Sequence, residues 1–219
     1  MPTQVYRLKD ATRVSGVTTI LSGVKLGGIE GLLHWANAEG LAGRNHRESR
    51  SAAADAGTCA HAMVEAKIHN QPFDESPYTE VTLIKAMGAY SAYLKWAEQT
   101  KLMAVYTEMP LISEKYRYGG CLDAILVDGK MSLGDWKTSN GVYMDMLLQL
   151  AGYAILWKEN FPDQPLLGGF HLLRFSKQEQ PDDPVSFTHH YWDQLDLAES
   201  MFPRMVQLYY ESQRLKKMV

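Results

Sequence analysis

The feature that most constrains this 219-residue chain is a pair of alternating stretches, residues 116–127 and 130–137, separated by Asp128-Gly129. Small, aromatic, aliphatic and β-branched residues on both sides of Asp-Gly are a strong short-range signal for an antiparallel hairpin. Two acids inside it make the register consequential, because a one-residue slip turns every side chain to the other face. A strict two-residue turn sets Asp123 opposite Gly134 and sends Asp135 the other way. A three-residue loop with Gly129 left-handed, or a single bulge, puts Asp123 and Asp135 on one face, and that second arrangement is expected. Lys137 lies two residues beyond Asp135 and shares its face by the period of two.

Two carboxylates and an ammonium on one face suit metal-assisted phosphodiester hydrolysis. Such chemistry needs hard oxygen ligands for a divalent cation and a positive group beside the water or the phosphate. A buried ion-pair network would use the same residues, so Asp135-Trp136-Lys137 alone does not decide.

Composition sets the frame. The length suits one domain, and 46% hydrophobic with 21% charged residues is ordinary for a folded globular protein. A formal charge of −3 does not advertise a chain that grips phosphates all over, although a carboxylate metal site can coexist with a local basic groove. Cys59 and Cys121 are too few for a four-thiolate iron–sulfur cluster or a cysteine-rich zinc site. The opening residues lack a signal-peptide pattern, and the most apolar run, 147–157, is far shorter than a membrane span. A reducing cytoplasm with both thiols free is the expected setting.

Residues 1–14 read as a polar lead-in and 17–21 as β-prone. A helix is expected over 29–42, with Leu32, Leu33, Trp35 and Ala36 as its apolar face. Arg44, Arg47 and Arg50 cluster with His46 in a segment too polar for a core. An alanine-rich helix follows over 51–70, interrupted by Gly57-Thr58, where close packing is one possible reason. On it His61 and Glu65 lie one turn apart.

Residues 71–79, with two prolines, read as a loop. The helix over 80–100 carries Leu83, Ile84, Met87, Tyr90, Tyr93, Leu94 and Ala97 at core spacing. Residues 102–112 form the first strand, holding Glu108, with Pro110 suggesting a bulge or a sheet edge.

Beyond the hairpin, residues 139–141 make a turn. A helix over 143–159 has a core stripe from Met146 to Ile155, and Gln149 within it needs a polar partner. Strands over 166–175 and 185–191, joined by a polar loop, precede a final helix over 193–217. No glycine-rich phosphate loop with its lysine is visible, which excludes that route to nucleotide hydrolysis. The order of elements predicts an α/β fold with a mixed central β-sheet flanked by helices.

The ordered set Gly120-x-x-Asp123, Asp135-x-Lys137 and Gln149-x-x-x-Tyr153, with Gly57-Thr58, His61 and Glu65 upstream, resembles the PD-(D/E)XK nuclease superfamily, in its RecB-like and phage exonuclease branch. The match spans roughly residues 55–160. Residues 17–21 and Trp35-Ala36 also resemble the N-terminal region of the phage enzymes.

The resemblance implies a restriction-endonuclease-like core filling 1–219, with 1–50 as an N-terminal extension. It implies one or two Mg²⁺ or Mn²⁺ ions on Asp123, Asp135, His61 and the Trp136 carbonyl, while two cysteines are too few for the iron–sulfur cluster that some RecB-like members carry. An imidazole among carboxylates favours Mn²⁺ more than an all-oxygen site would. Lys137 would act on water and phosphate, with Gln149 and Tyr153 beside the active site and Glu65 and Glu108 supporting it from behind. Arg44, Arg47 and Arg50 would contact DNA phosphates.

The implied activity is exonuclease action on DNA ends in recombination, repair or phage DNA processing, inside a bacterial or phage-infected cell. A single-strand annealing protein and a homo-oligomer are themes of such enzymes. A structure-selective or nicking endonuclease, or a non-catalytic nucleic-acid-binding protein, would fit the same residues.

Overall fold

The computed structural model describes residues 4–26, 30–139, 141–175 and 187–219. The elements run β1 (Tyr6–Arg7), β2 (Arg13–Val14), α1 (Val17–Val24), α2 (Glu30–Leu41), α3 (His46–Ile68), α4 (Glu80–Thr100), β3 (Met103–Ser113), β4 (Tyr118–Asp128), β5 (Lys130–Lys137), α5 (Met144–Asn160), β6 (Phe170–Phe175), β7 (Phe187–Trp192) and α6 (Asp196–Leu215). Strands β3 to β7 form one sheet in sequence order. It is mixed, because β5 and β6 run parallel while the other pairs are antiparallel. This is the expected α/β fold with a mixed central sheet flanked by helices.

The sheet separates two apolar cores. One packs α1, α5 and α6 on a face that includes Ile125, Leu133 and Leu172, and the other packs α3 and α4 against Ala124, Leu126, Trp136 and Leu173. Helix α5 is buried almost all round, since Leu148, Gly152 and Trp157 are covered as fully as the expected stripe residues Leu150 and Ala154. No helix among the described residues is long and apolar enough to cross a membrane.

Four local expectations change. Residues 17–21 are helical, because Val17, Ile20 and Leu21 fall at helical spacing and are buried in the first core, which outweighs the β preference of Val, Thr and Ile. The lead-in holds the small β1–β2 pair. On α4 the buried residues are Ala86, Ala89, Ala92, Tyr93 and Trp96, whereas Ile84, Met87 and Leu94 face outward. Leu32 and Leu33 of α2 are likewise exposed. The turn at Asn140 and the loop over 176–186 lie outside the described residues.

The hairpin takes the expected register. Val127 faces Met131 and Asp128 faces Lys130, with Gly129 at φ +70° between them. Asp-Gly-Lys is therefore a three-residue loop with its glycine left-handed, where a β-carbon would be strained.

Candidate active site

Continued one step past Ala124 and Gly134, the hairpin register sets Asp123 opposite Asp135. Across the other ladder, Thr107 pairs with Ala124 and Met109 with Leu122, which sets Glu108 opposite Asp123. Three acids therefore lie in a row across β3, β4 and β5.

Two irregularities shape the row. Glu108 has φ +46°, a conformation a side-chain-bearing residue rarely adopts and one found at functional sites. Beside it, Leu122 and Ile125 both join the first core although three residues apart, so the in-out alternation of β4 breaks at Asp123. The bulge in β3 lies at Ala104–Tyr106 rather than at Pro110, and β3 is an edge strand as the proline suggested.

Helix α3 adds His61. Its Nδ1 is 3.8 Å from Glu108 Oε1 and 4.0 Å from Asp123 Oδ2. One ligand atom from each of His61, Glu108 and Asp123 lies within 4.8 Å of the others. Gly57, one turn earlier, allows this approach, because a β-carbon there would stand 3.0 Å from Thr138 Oγ1 at the end of β5. Burial opposes a charge on His61, yet Asp123 and Glu108 outweigh it and hold the imidazole above its ordinary pKa.

Asp135 is fully buried beneath the trio. Lys137 Nζ closes on its Oδ2 as an ion pair, but neither carboxylate oxygen has a partner in hydrogen-bond geometry. Burial, with Asp123 nearby, drives the Asp135 carboxyl up despite Lys137. Lys137 is held charged, since Asp135 and Asp123 outweigh the burial that would lower its pKa.

An imidazole nitrogen and two clustered carboxylates, with a buried acid paired to Lys137 close by, make a donor set that fits a divalent cation such as Mg²⁺ or Mn²⁺. Glu108 thus belongs to the cluster itself, whereas Asp135 lies deeper.

The acids face a cleft of about 730 Å³ that Arg50, His61, Glu108, Asp123, Lys137 and Tyr153 help to line. Trp136 also lines it, and its N–H donates to Asp123 Oδ2 at 2.9 Å. Gln149 finds its polar partner in Tyr153, whose hydroxyl accepts from Nε2 at 2.8 Å. Burial holds the Tyr153 phenol well above its usual range. Gly120 lets α5 lie close, because a β-carbon there would meet Tyr153 at 2.8 Å.

The remaining candidates sit further off. Glu65 borders a neighbouring pocket with His69, and burial followed by Glu108 raises its pKa. Arg44 turns back to grip Glu39 with Nε at 2.9 Å and Nη2 at 2.7 Å. Arg47 is exposed in the first turn of α3, which Asn45 caps, and does not line the cleft.

Two cleft residues carry no sequence signal. Tyr6 packs its ring against Gly119 and Gly16 and borders the cleft, its phenol pushed up to about 12 by burial with Cys121 and Glu108 close by. Cys121 donates to Glu108 Oε2 at 3.5 Å, and burial, reinforced by Glu108, raises its thiol to about 12.

No family model matches the chain. No curated protein matches it either. Among solved structures it is similar to LHK-Exo in complex with dAMP, at 10% identity and TM-score 0.45 over 94% of this chain and 95% of that one. A second match is an alkaline exonuclease, LHK-Exo from Laribacter hongkongensis, at 13% identity and TM-score 0.34 over 58% and 70%. A protein described as a candidate exonuclease from Eubacterium rectale matches at 15% identity and TM-score 0.44 over 73% and 68%. These are similarities in the arrangement of elements; the functional reading rests on the geometry of the cleft.

Proposed function

We propose that this chain is a metal-dependent deoxyribonuclease that removes nucleotides from DNA ends. The observation that carries the reading is the row Glu108, Asp123 and Asp135, set in register across three strands with Lys137 against Asp135 and His61 above. The order of these residues along the chain resembles the RecB-like and phage exonuclease pattern, and that resemblance points to DNA ends.

His61, Glu108, Asp123 and Asp135 would hold Mg²⁺ or Mn²⁺, with the Trp136 carbonyl as a further oxygen donor. Such an ion supplies Lewis acidity, acidifying water and offsetting the charge that builds on phosphate. Lys137 presents a fixed positive charge at the cleft wall, where it stabilises a phosphate oxygen as negative charge grows. Because the Tyr153 oxygen already accepts from Gln149, its O–H hydrogen is left to donate into the cleft. Arg50 at the rim would meet the sugar-phosphate backbone without reading bases.

The test is digestion of end-labelled linear duplex, single-stranded DNA and closed circular plasmid with Mg²⁺ or Mn²⁺, comparing the wild type with Lys137→Ala. Progressive loss from ends, absent with a chelator and in the variant, is expected and gives the polarity. Cutting of closed circles would replace the exonuclease by an endonuclease, and no metal-dependent cutting of any substrate would refute the enzyme.

A further inference from the structure

On the side of the molecule where α6 meets the β1–β2 pair and the β3–β4 turn, a pocket of about 520 Å³ is lined by Arg13, Lys115, Arg117, Arg204 and Arg214, and no acid lines it. Five cations around one hollow are unexpected in a chain of net charge −3. Of these five, only Arg117 has an acidic partner among the described residues, Asp10 at the long distance of 4.0 Å.

The crowding carries a cost. Arg13 lies directly across the β1–β2 ladder from Arg7, and like charges in that position repel. Arg117 sits at φ +58°, in the left-handed region.

The pocket is built rather than draped. The Tyr210 hydroxyl accepts from the Ser15 N–H at 3.0 Å and donates to the Arg117 carbonyl at 2.9 Å, tying α6, the lead-in and the β3–β4 turn together. A depression of about 540 Å³ joins it to the cleft, sharing Tyr6 and Thr18 with the cleft and Arg13 and Val14 with the pocket.

We infer that this basic pocket is a second station for the sugar-phosphate backbone of a nucleic-acid strand whose end lies in the cleft, the strand crossing the depression between them. The inference rests on the nuclease reading. It assigns to Arg13, Arg204 and Arg214 a grip on phosphates remote from the scissile bond, blind to base sequence and sensitive to salt.

The test measures binding by Lys137→Ala protein, which leaves DNA uncut, of a short deoxyoligonucleotide that only fills the cleft and of a long one, across a salt series with Mg²⁺. In that background the long strand is expected to bind more tightly. Adding Arg13→Gln, Arg204→Gln and Arg214→Gln is expected to cost the long strand roughly tenfold in affinity and to flatten its salt dependence by about 2 in log–log slope, at about 0.7 per phosphate contact. The corresponding triple lysine variant keeps the charge and is expected to retain both. All three side chains are exposed, and thermal unfolding of each variant checks the fold.

An unchanged preference for the long strand and an unchanged slope in the glutamine variant, with the short strand still bound, would overturn the inference and leave the nuclease reading standing. Binding of neither strand by any variant would remove both.

Discussion

The main-chain N–H of Trp136 donates to Oδ2 of Asp123 at 2.9 Å, so the acid of one hairpin strand holds the peptide that links Asp135 to Trp136 on the other. Asp123 therefore has a structural task besides any ligand role, and the two are separable. Asp123→Asn keeps an acceptor for that N–H, whereas Asp123→Ala leaves a buried donor unpaired at a cost of about 1–3 kcal/mol. Both variants are expected to lose metal-dependent cleavage, but only the alanine variant should lose stability. Urea unfolding with a chelator present measures the difference, and equal losses would contradict the separation.

Asp135 exchanges stability for affinity. Burial raises the pKa of its carboxyl in spite of the Lys137 ion pair, so ionisation costs more in the folded chain than in the unfolded one, and Lys137 keeps Asp123 and Glu108 as counter-charges when Asp135 is neutral. At neutral to alkaline pH with a chelator, Asp135→Asn is therefore expected to be more stable than the wild type by about 1 kcal/mol, some 2–4 °C in Tm. Adding Mg²⁺ or Mn²⁺ should raise the Tm of the wild type and not of the variant, because only a ligand bound to the folded state stabilises it. A metal response in the variant as large as in the wild type would refute a ligand role for Asp135.

Gly57 is expected to be a coupled position. Gly57→Ala gains helix propensity of about 1 kcal/mol. It also brings a methyl group to 3.0 Å from Thr138 Oγ1, which pushes α3, and His61 with it, away from the acids. Cleavage should fall about tenfold or more, since small displacements of catalytic groups are expensive. Thr138→Ala in the same chain should restore much of the rate, a coupling that a double-mutant cycle measures. Independent effects of the two changes would show that the contact is idle.

What was legible in the sequence and what was not divides along physical lines. The register of Asp123 against Asp135 can be read because the alternating pattern and Asp128-Gly129 are local. The Gln149–Tyr153 contact follows from helical spacing. The helix at Val17 cannot be read, because its stability comes from burial against α5 and α6, far along the chain. On α4 the expected Leu83, Tyr90, Tyr93 and Ala97 do pack into the second core, but Ala86, Ala89 and Ala92 share that face and bring α3 close, so counting large apolar side chains wrongly added Ile84, Met87 and Leu94. Glu108 enters the cluster through a backbone kink that no residue type announces, and Tyr6 reaches the cleft only through tertiary packing.

Strands β6 and β7 carry a pH-sensitive pair, His171 buried and His189 exposed at the surface. His171 Nδ1 and His189 Nε2 are 2.8 Å apart, an arrangement that shares one hydrogen between neutral rings. Burial, with His189 adjacent, pushes the His171 pKa down to about 4, and burial with His190 nearby lowers that of His189. The unfolded chain takes up protons near pH 6.5 and the folded chain resists until about 4, so stability is expected to fall as pH drops through that window. The His171 share is about 3 kcal/mol at most. His171→Gln should flatten the urea midpoint against pH between those limits, and parallel curves for variant and wild type would refute it.

The row of acids is also a gradient of wetness. Side-chain exposure falls from 20% at Glu108 to 11% at Asp123 and 0% at Asp135, that is, from the sheet edge toward its centre. A divalent ion held here would meet carboxylates of decreasing exposure, wettest at Glu108 and driest at Asp135. In the proposed reaction, water would be replenished from the cleft, past Glu108 on one flank and Lys137, 19% exposed, on the other, while the face of Asp135 turned into the sheet stays dry.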